Sequence, residues 1–247
     1  PVEQLQEVFQ LALSLDDQVV GLAIGTRPDC VPESVLSMIE GLARESYISV
    51  EYGMQTIHDK GLDWMNRAHS HADMVNAIDR SRGRGFECCA HVILGVPGET
   101  HAMMMETANE IGVLGFDAVK IHNLYAVRGT PLGQQVIDGD IKMMDRDDYV
   151  NTVVDFLERI PPEVVVERIS GDAPPSFLIE PKWCLEKSIL RLDIESEFRR
   201  RGTRQGSHFV APGVAPADRA VPMDSTPQAI RDQIEMRGRL PVLKMEG

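Results

Sequence analysis

Short apolar runs alternate along the chain with stretches whose apolar residues recur every three to four positions. The runs at residues 19–25, 47–55, 87–94, 118–124 and 164–169 predict strands. Helical spacing fills the gaps. Residues 2–13 predict an amphipathic helix with Leu5, Val8, Phe9 and Ala12 on one face, and Pro32 starts a second carrying Val35, Ile39, Leu42 and Ala43. Thr100 caps a third, with Met104, Ala108, Ile111 and Leu114 on its apolar face and Gly115 at its end. Tyr149, Val153, Phe156, Leu157 and Ile160 mark a fourth, closed by Pro161 and Pro162, and residues 181–201 read as one more. This alternation predicts an α/β fold of parallel βα units. Five strands fall short of the eight of a closed barrel of about 250 residues, so an incomplete (β/α) barrel is expected.

Periodicity fades after residue 206. Residues 207–247, rich in Ala, Pro and Gly to residue 227, are expected to be a flexible tail with at most a short helix near 227–237. Residues 1–206 are then the partial barrel with a C-terminal helical extension. The chain's 247 residues, 43% of them hydrophobic, suffice for one sizeable core. With 38 acidic against 25 basic residues, the net charge of -13 disfavours broad attachment to nucleic acid or anionic lipid. Four cysteines, with neither a secretory signal nor a long apolar run, point to the cytoplasm and away from a membrane.

In parallel α/β folds ligands gather beyond the carboxyl ends of the strands. After the first strand comes "GTRPDC", where Arg27 either forks onto an anion or pairs with Asp29. After the second, "GMQTIHDK" places Gln55 at the strand end, and Arg67 follows where the chain can fold back over the mouth. After the third, "GVPGET" is a tight turn into the helix capped by Thr100, either an ordinary connection or a ligand cradle.

Taken in order, "IGTRPDC", "VEYGMQTIHDKGLDWMNRAHS" and "CAHVILGVPGET" resemble successive strand-end motifs of the radical S-adenosylmethionine superfamily. The likeness is nearest to an uncharacterised bacterial subgroup related to the elongator-type tRNA-modifying enzymes and, more distantly, to oxygen-independent coproporphyrinogen oxidase. It implies a TIM-like radical barrel whose N-terminal strands are missing here. It also implies S-adenosylmethionine bound at a [4Fe-4S] cluster, cleaved to a 5'-deoxyadenosyl radical that abstracts hydrogen from substrate. By the same resemblance Gln55 and Arg67 match contacts to the cofactor's ribose and carboxylate, Thr26 and Arg27 face the same cavity, and Val92, Gly95 and Pro97 lie beside the adenine.

The family's C-x3-C-x2-C is absent, and Cys30, Cys88, Cys89 and Cys184 do not reproduce it. Because the chain opens inside a helix without methionine and shows too few strands, it is read as the C-terminal portion of a longer enzyme, with a degenerate, cluster-free relative as the second choice. The cluster ligands are expected in a missing N-terminal segment, and this chain alone is expected to be inactive. No protein-bound metal is expected from the histidines; His91 and His122 on neighbouring strands read first as satisfied core or cavity histidines, with contact to substrate as the alternative. The arginines of "EFRRRGTRQG" suit either RNA or a solvated helix end. The expected partners are an external electron donor and a small-molecule or RNA substrate. Two other readings stay open: a cluster-free lyase or aldolase using Lys60 or Lys120 for an imine, and a non-catalytic binding protein.

Overall fold

A computed structural model describes residues 1–211. Helix α1 (Val2–Leu13) is followed by β1 (Gly21–Thr26), α2 (Glu33–Ala43), β2 (Tyr47–Gln55), α3 (Asp59–Trp64) and α4 (His71–Ser81). Next come β3 (Glu87–Leu94), α5 (His101–Leu114), β4 (Ala118–Asn123), β5 (Ala126–Val127) and α6 (Pro131–Asp138). The described residues end with α7 (Arg146–Leu157), β6 (Val165–Arg168), β7 (Leu178–Glu180) and α8 (Lys187–Arg201). All five expected strands form, in one parallel sheet of order β1-β2-β3-β4-β6.

Sequential order matters because right-handed crossovers that all run the same way place their helices on a single face. Tyr52, Met54, Ala90, Val92, Leu94, Val119 and Ile121 point to that face and pack with Leu36, Ile39, Ile78, Met104, Ile111, Tyr149 and Phe156. The alternate residues, including Glu51, His91, Ile93, Lys120 and His122, line the opposite, concave face. That is the arrangement of an unclosed barrel, and its polar inner face contrasts with the apolar faces of a sheet covered on both sides.

Local chemistry fixes most boundaries. The Thr100 hydroxyl accepts from the Met103 amide at 3.3 Å and Gly115 ends α5 at φ 70°, as the sequence predicts. Helix α1 forms over the predicted range, but none of its residues is buried, and Leu5 and Val8 of its predicted apolar face are exposed. The helix predicted over 181–201 is two pieces: a 3-10 turn at Lys182–Leu185, then α8. Helix α6 and the antiparallel pair β5–β7 carried no signal read from the sequence.

The arginines at the end of α8 serve the fold. Arg201 reaches Asp155 and Glu197 at 2.6 Å each, and Arg200 also reaches Glu197 at 2.6 Å, so their charge is largely spent within the protein. Of the predicted tail, residues 207–209 are held against α7, with the His208 amide donating to the Glu158 carbonyl at 2.6 Å. Residues 212–247, and with them the short helix near 227–237, lie outside the described residues. Among the described residues no helix is long and apolar enough to cross a membrane.

Candidate functional site

At the carboxyl ends of β2, β3 and β4 a cavity of about 570 Å³ opens between two polar-edged walls. Gln55 and Ile93 form its floor, residues 64–67 one wall, and Pro131, Leu132 and Gln135 of α6 the other, with Leu124 between. A volume of this size matches a nucleoside-sized ligand. Position along the strands and cavity agree, as expected for a parallel sheet.

The backbone is under most constraint at this spot. Among the described residues only Gln55 (φ 65°) and Asn66 (φ 54°) are non-glycine residues in the left-handed region, and both line the cavity. Gln55 follows a bulge in the β2–β3 pairing, which re-aims the strand end. Asn66 ends α3 in a Schellman turn: its amide donates to Asp63 O, and the Arg67 amide donates to Leu62 O, each at 2.9 Å. That turn swings Arg67 back over the strand it left.

The Arg67 guanidinium lies 3.5 Å from the Gly53 carbonyl, and its Nε is buried without a hydrogen-bond partner. Burial, then the neighbouring Arg27 charge, lowers its pKa from the usual guanidinium value, yet it stays charged. A partly desolvated cation with an unused donor calls for an anion. Gly53 is needed for this approach, since a Cβ there would stand 2.7 Å from both the Arg67 guanidinium and the Gln55 amide nitrogen.

The other expected site residues fall unevenly around the mouth. Arg27 is forked onto Asp29 at 2.9 and 2.6 Å and exposed, which favours the paired reading over an open anion fork. The Thr26 hydroxyl donates to the Arg27 carbonyl at 3.2 Å, and the Thr26 backbone carbonyl lies beside Gly53. Gly95 adopts φ 86° at the start of the third exit, with Met144 packed over it, and Pro97 is half-buried in the same turn. The Val92 side chain is fully buried in the helix-side core, and the alternation of the strand gives the cavity Ile93, so at Val92 only the backbone could approach a ligand. Trp64, Met65, Leu124, Leu132 and Gln135 also line the cavity and were not singled out from the sequence.

Below the floor, the inner face of the sheet carries a row of ionisable groups. His91 Nε2 lies 2.7 Å from Glu51, Lys120 bonds to Glu51 and sits 3.3 Å from Glu167, and the His122 ring stacks on His91 at 5.4 Å. Burial is the largest single influence on Glu51 and Lys120 and opposes both charges, but the hydrogen bonds and charges of their partners together outweigh it, lowering the Glu51 pKa and raising that of Lys120. Burial lowers His91 despite Glu51, and burial followed by the His91, Arg168 and Lys120 charges pushes His122 down to about 4.

The cysteines do not assemble a cluster site. Cys30 is exposed beyond β1, Cys88 is buried in the helix-side core, Cys89 faces the other way and Cys184 lies buried far along the chain. Burial raises Cys88 to about 12 and Cys89 still higher, which disfavours the thiolates an iron cluster needs. Nor, among the described residues, do three or more His, Cys, Asp or Glu side chains gather as metal ligands, and His71 instead faces Glu110 at 3.3 Å.

The motifs and the sheet have counterparts in known proteins. Residues 2–111 match the Radical SAM superfamily model and residues 116–200 the Radical_SAM C-terminal domain model. The chain is 42% identical over 209 residues to the uncharacterized protein YtqA of Bacillus subtilis (strain 168), covering 85% of this chain and 65% of that protein. It is 33% identical over 218 residues to protein YhcC of Escherichia coli (strain K12), covering 88% of this chain and 70% of that one. Among solved structures, archaeal Methanocaldococcus infernus Elp3 with an N-terminal deletion superposes with a TM-score of 0.66 at 25% identity, over 75% of this chain and 43% of that one. The resemblance read from the strand ends, including the kinship with an elongator protein, is therefore a family relation: the chain belongs to the radical S-adenosylmethionine superfamily.

Proposed function

We propose that these residues form the cofactor-embracing part of an enzyme that cleaves S-adenosylmethionine reductively and uses the resulting radical to abstract hydrogen from substrate. The observation that carries this reading is the Arg67–Gly53–Gln55 arrangement. A half-buried guanidinium with an unpartnered Nε and a left-handed glutamine converge on the mouth of a nucleoside-sized cavity. When bound, S-adenosylmethionine would supply the radical precursor. Arg67 would hold its carboxylate by a charge-assisted hydrogen bond, and the Gln55 amide would meet its ribose hydroxyls. Ile93, Leu124 and Leu132 would keep water from the apolar side of the cavity. The turn holding Gly95 and Pro97 follows Ile93 on the same strand and is half-buried, and its tight backbone suits approach to a flat base.

The iron-sulfur cluster does not fit this chain's own thiols, and we assign its ligands to a portion of the full-length parent outside these residues. YtqA extends beyond the match, which covers 65% of it, in keeping with that assignment. The parent would take electrons from an external donor and act in the cytoplasm. Substrate is a small molecule or RNA, with the neutralised arginines of α8 and the net charge of -13 giving no support to broad nucleic-acid binding. The aldolase reading is weakened at Lys120, because an imine-forming lysine must shed its proton and this one is clamped by two carboxylates.

The test is binding of S-adenosylhomocysteine to the purified chain, followed through the fluorescence of Trp64 in a Trp183→Phe background. Saturable quenching is expected, weakened at least about tenfold by Arg67→Ala, the loss of one charged hydrogen bond. Absence of binding, or binding indifferent to Arg67, would overturn the reading.

A further inference from the structure

The cofactor reading uses the rim of the cavity and leaves the ionisable row beneath it unexplained. Glu51, His91, Lys120 and Glu167 stand on four adjacent strands, on the concave face and away from the helix-side core. The Glu51 and Lys120 side chains are only 10% and 17% exposed, so the row keeps charge where burial penalises it. The geometry of its members is directional. Lys120 engages Glu51 through one oxygen, leaving the other for His91 Nε2 at 2.7 Å.

An ionised carboxylate accepts hydrogen bonds and donates none, so Nε2 of His91 carries the proton and Nδ1 carries the lone pair. Among the described residues His91 makes no second side-chain hydrogen bond, and its side chain remains 25% exposed. Two residues further along the same face, Ile93 forms the cavity floor, and His122, the cross-strand partner of Ile93, stacks on the His91 ring. The imidazole thus lies one pleat below the cavity, fixed in ring orientation and tautomer.

We propose that His91 is an acid–base residue of the parent enzyme, oriented by Glu51, which Lys120 and Glu167 hold in turn, and that it takes a proton from a hydroxyl or amine of the substrate. The step moves one proton: the substrate O–H or N–H bond breaks, its electron pair stays on the substrate, and His91 becomes an imidazolium stabilised by Glu51. A hydroxyl or amino hydrogen becomes more acidic once the carbon bearing it has lost a hydrogen atom, so such a base suits radical chemistry on an alcohol or amine. Glu51 and Lys120 are positioning residues in this scheme. The groups that face the pair are Glu51 from β2, Lys120 from β4, and Glu167 and Arg168 from β6. This inference rests on the cofactor reading for the placement of substrate above the row.

The test is carbethoxylation of the purified chain with diethyl pyrocarbonate, mapped to single histidines by mass spectrometry, together with nitrogen-15 spectra that report imidazole tautomers. His91 should be found as the Nε2–H tautomer. Glu51→Gln should slow its modification at least threefold and mix the tautomers, and Glu51→Asp, which keeps the charge but shortens the reach, should do likewise and serves if the glutamine variant fails to fold. S-adenosylhomocysteine should slow modification at His91 at least fivefold and leave exposed His101 unchanged. Ligand that quenches Trp64 without protecting His91 would overturn the inference and leave the cofactor reading standing. Ligand that fails to bind would overturn the cofactor reading, and the Glu51 variants would then decide: an unchanged rate and tautomer sink the dyad, slowed modification sustains it.

Discussion

At the scale of single residues, glycine and histidine have the most informative surroundings. Gly53→Ala should lower S-adenosylhomocysteine affinity at least about tenfold, because the new methyl displaces the ends of Arg67 and Gln55. Both displaced groups are flexible side-chain tips, so the thermal midpoint should hardly move, and titration beside a melting curve separates the two effects. His122 gives a pH signature. Its pKa lies at about 4 in the fold against an ordinary 6.5, so the unfolded chain binds more protons between those values. Stability should fall as pH drops through that window, and His122→Gln should remove about 2 kcal/mol of the fall, allowing for screening at a partly exposed ring, as read from urea unfolding at pH 7 and pH 4.5. The strand-end glutamine and the arginine of the next turn were legible in the sequence because polar groups are rare at the exit of a buried strand. Which alternate residue of the third strand faces the cavity, Ile93 rather than Val92, was not legible, since it depends on a register that local pattern does not supply.

Among elements, α7 and α8 show how charge substitutes for apolar contact. Helix α8 buries only Leu190 and Ile194, and its attachment relies on ion pairs. Glu158, whose side chain is 1% exposed, receives Arg201 at 3.5 Å and His208 at 3.1 Å. Glu158→Ala should therefore cost about 2 kcal/mol by removing a buried acceptor that Thr203 and Arg201 share, measurable as a lower urea midpoint with little change in slope. Capped, strongly periodic helices such as α5 could be read directly from Thr100, Gly115 and four apolar positions. Helix α6 was not read, although Thr130 caps it and Pro131 sits at its tolerant first turn, because its run is short and broken by Gly133, which is there to let the helix touch the Val127 carbonyl.

Over the whole molecule, the decisive question is what the chain can hold. One thiol, Cys30, is exposed and three are buried, so a thiol reagent should react rapidly with one cysteine in the native chain and with all four after denaturation. Anaerobic incubation with iron and sulfide should accordingly leave the native chain without cluster absorbance; a stoichiometric [4Fe-4S] spectrum on the four native cysteines would refute the assignment of its ligands to other parts of the parent. The sequence by itself determined the five parallel strands, both ends of α5 and the three strand exits, because these depend on contacts within a few residues and on the period of apolar side chains. It also carried the family, through motifs whose order along the chain is itself the signal. The tertiary structure alone decided which face of each strand looks inward, the joining of α6 to the cavity wall, and the meeting of Glu51, His91, Lys120 and Glu167. Those residues lie 40 or more positions apart from Glu51 in the chain, and only the register of a parallel sheet brings them side by side.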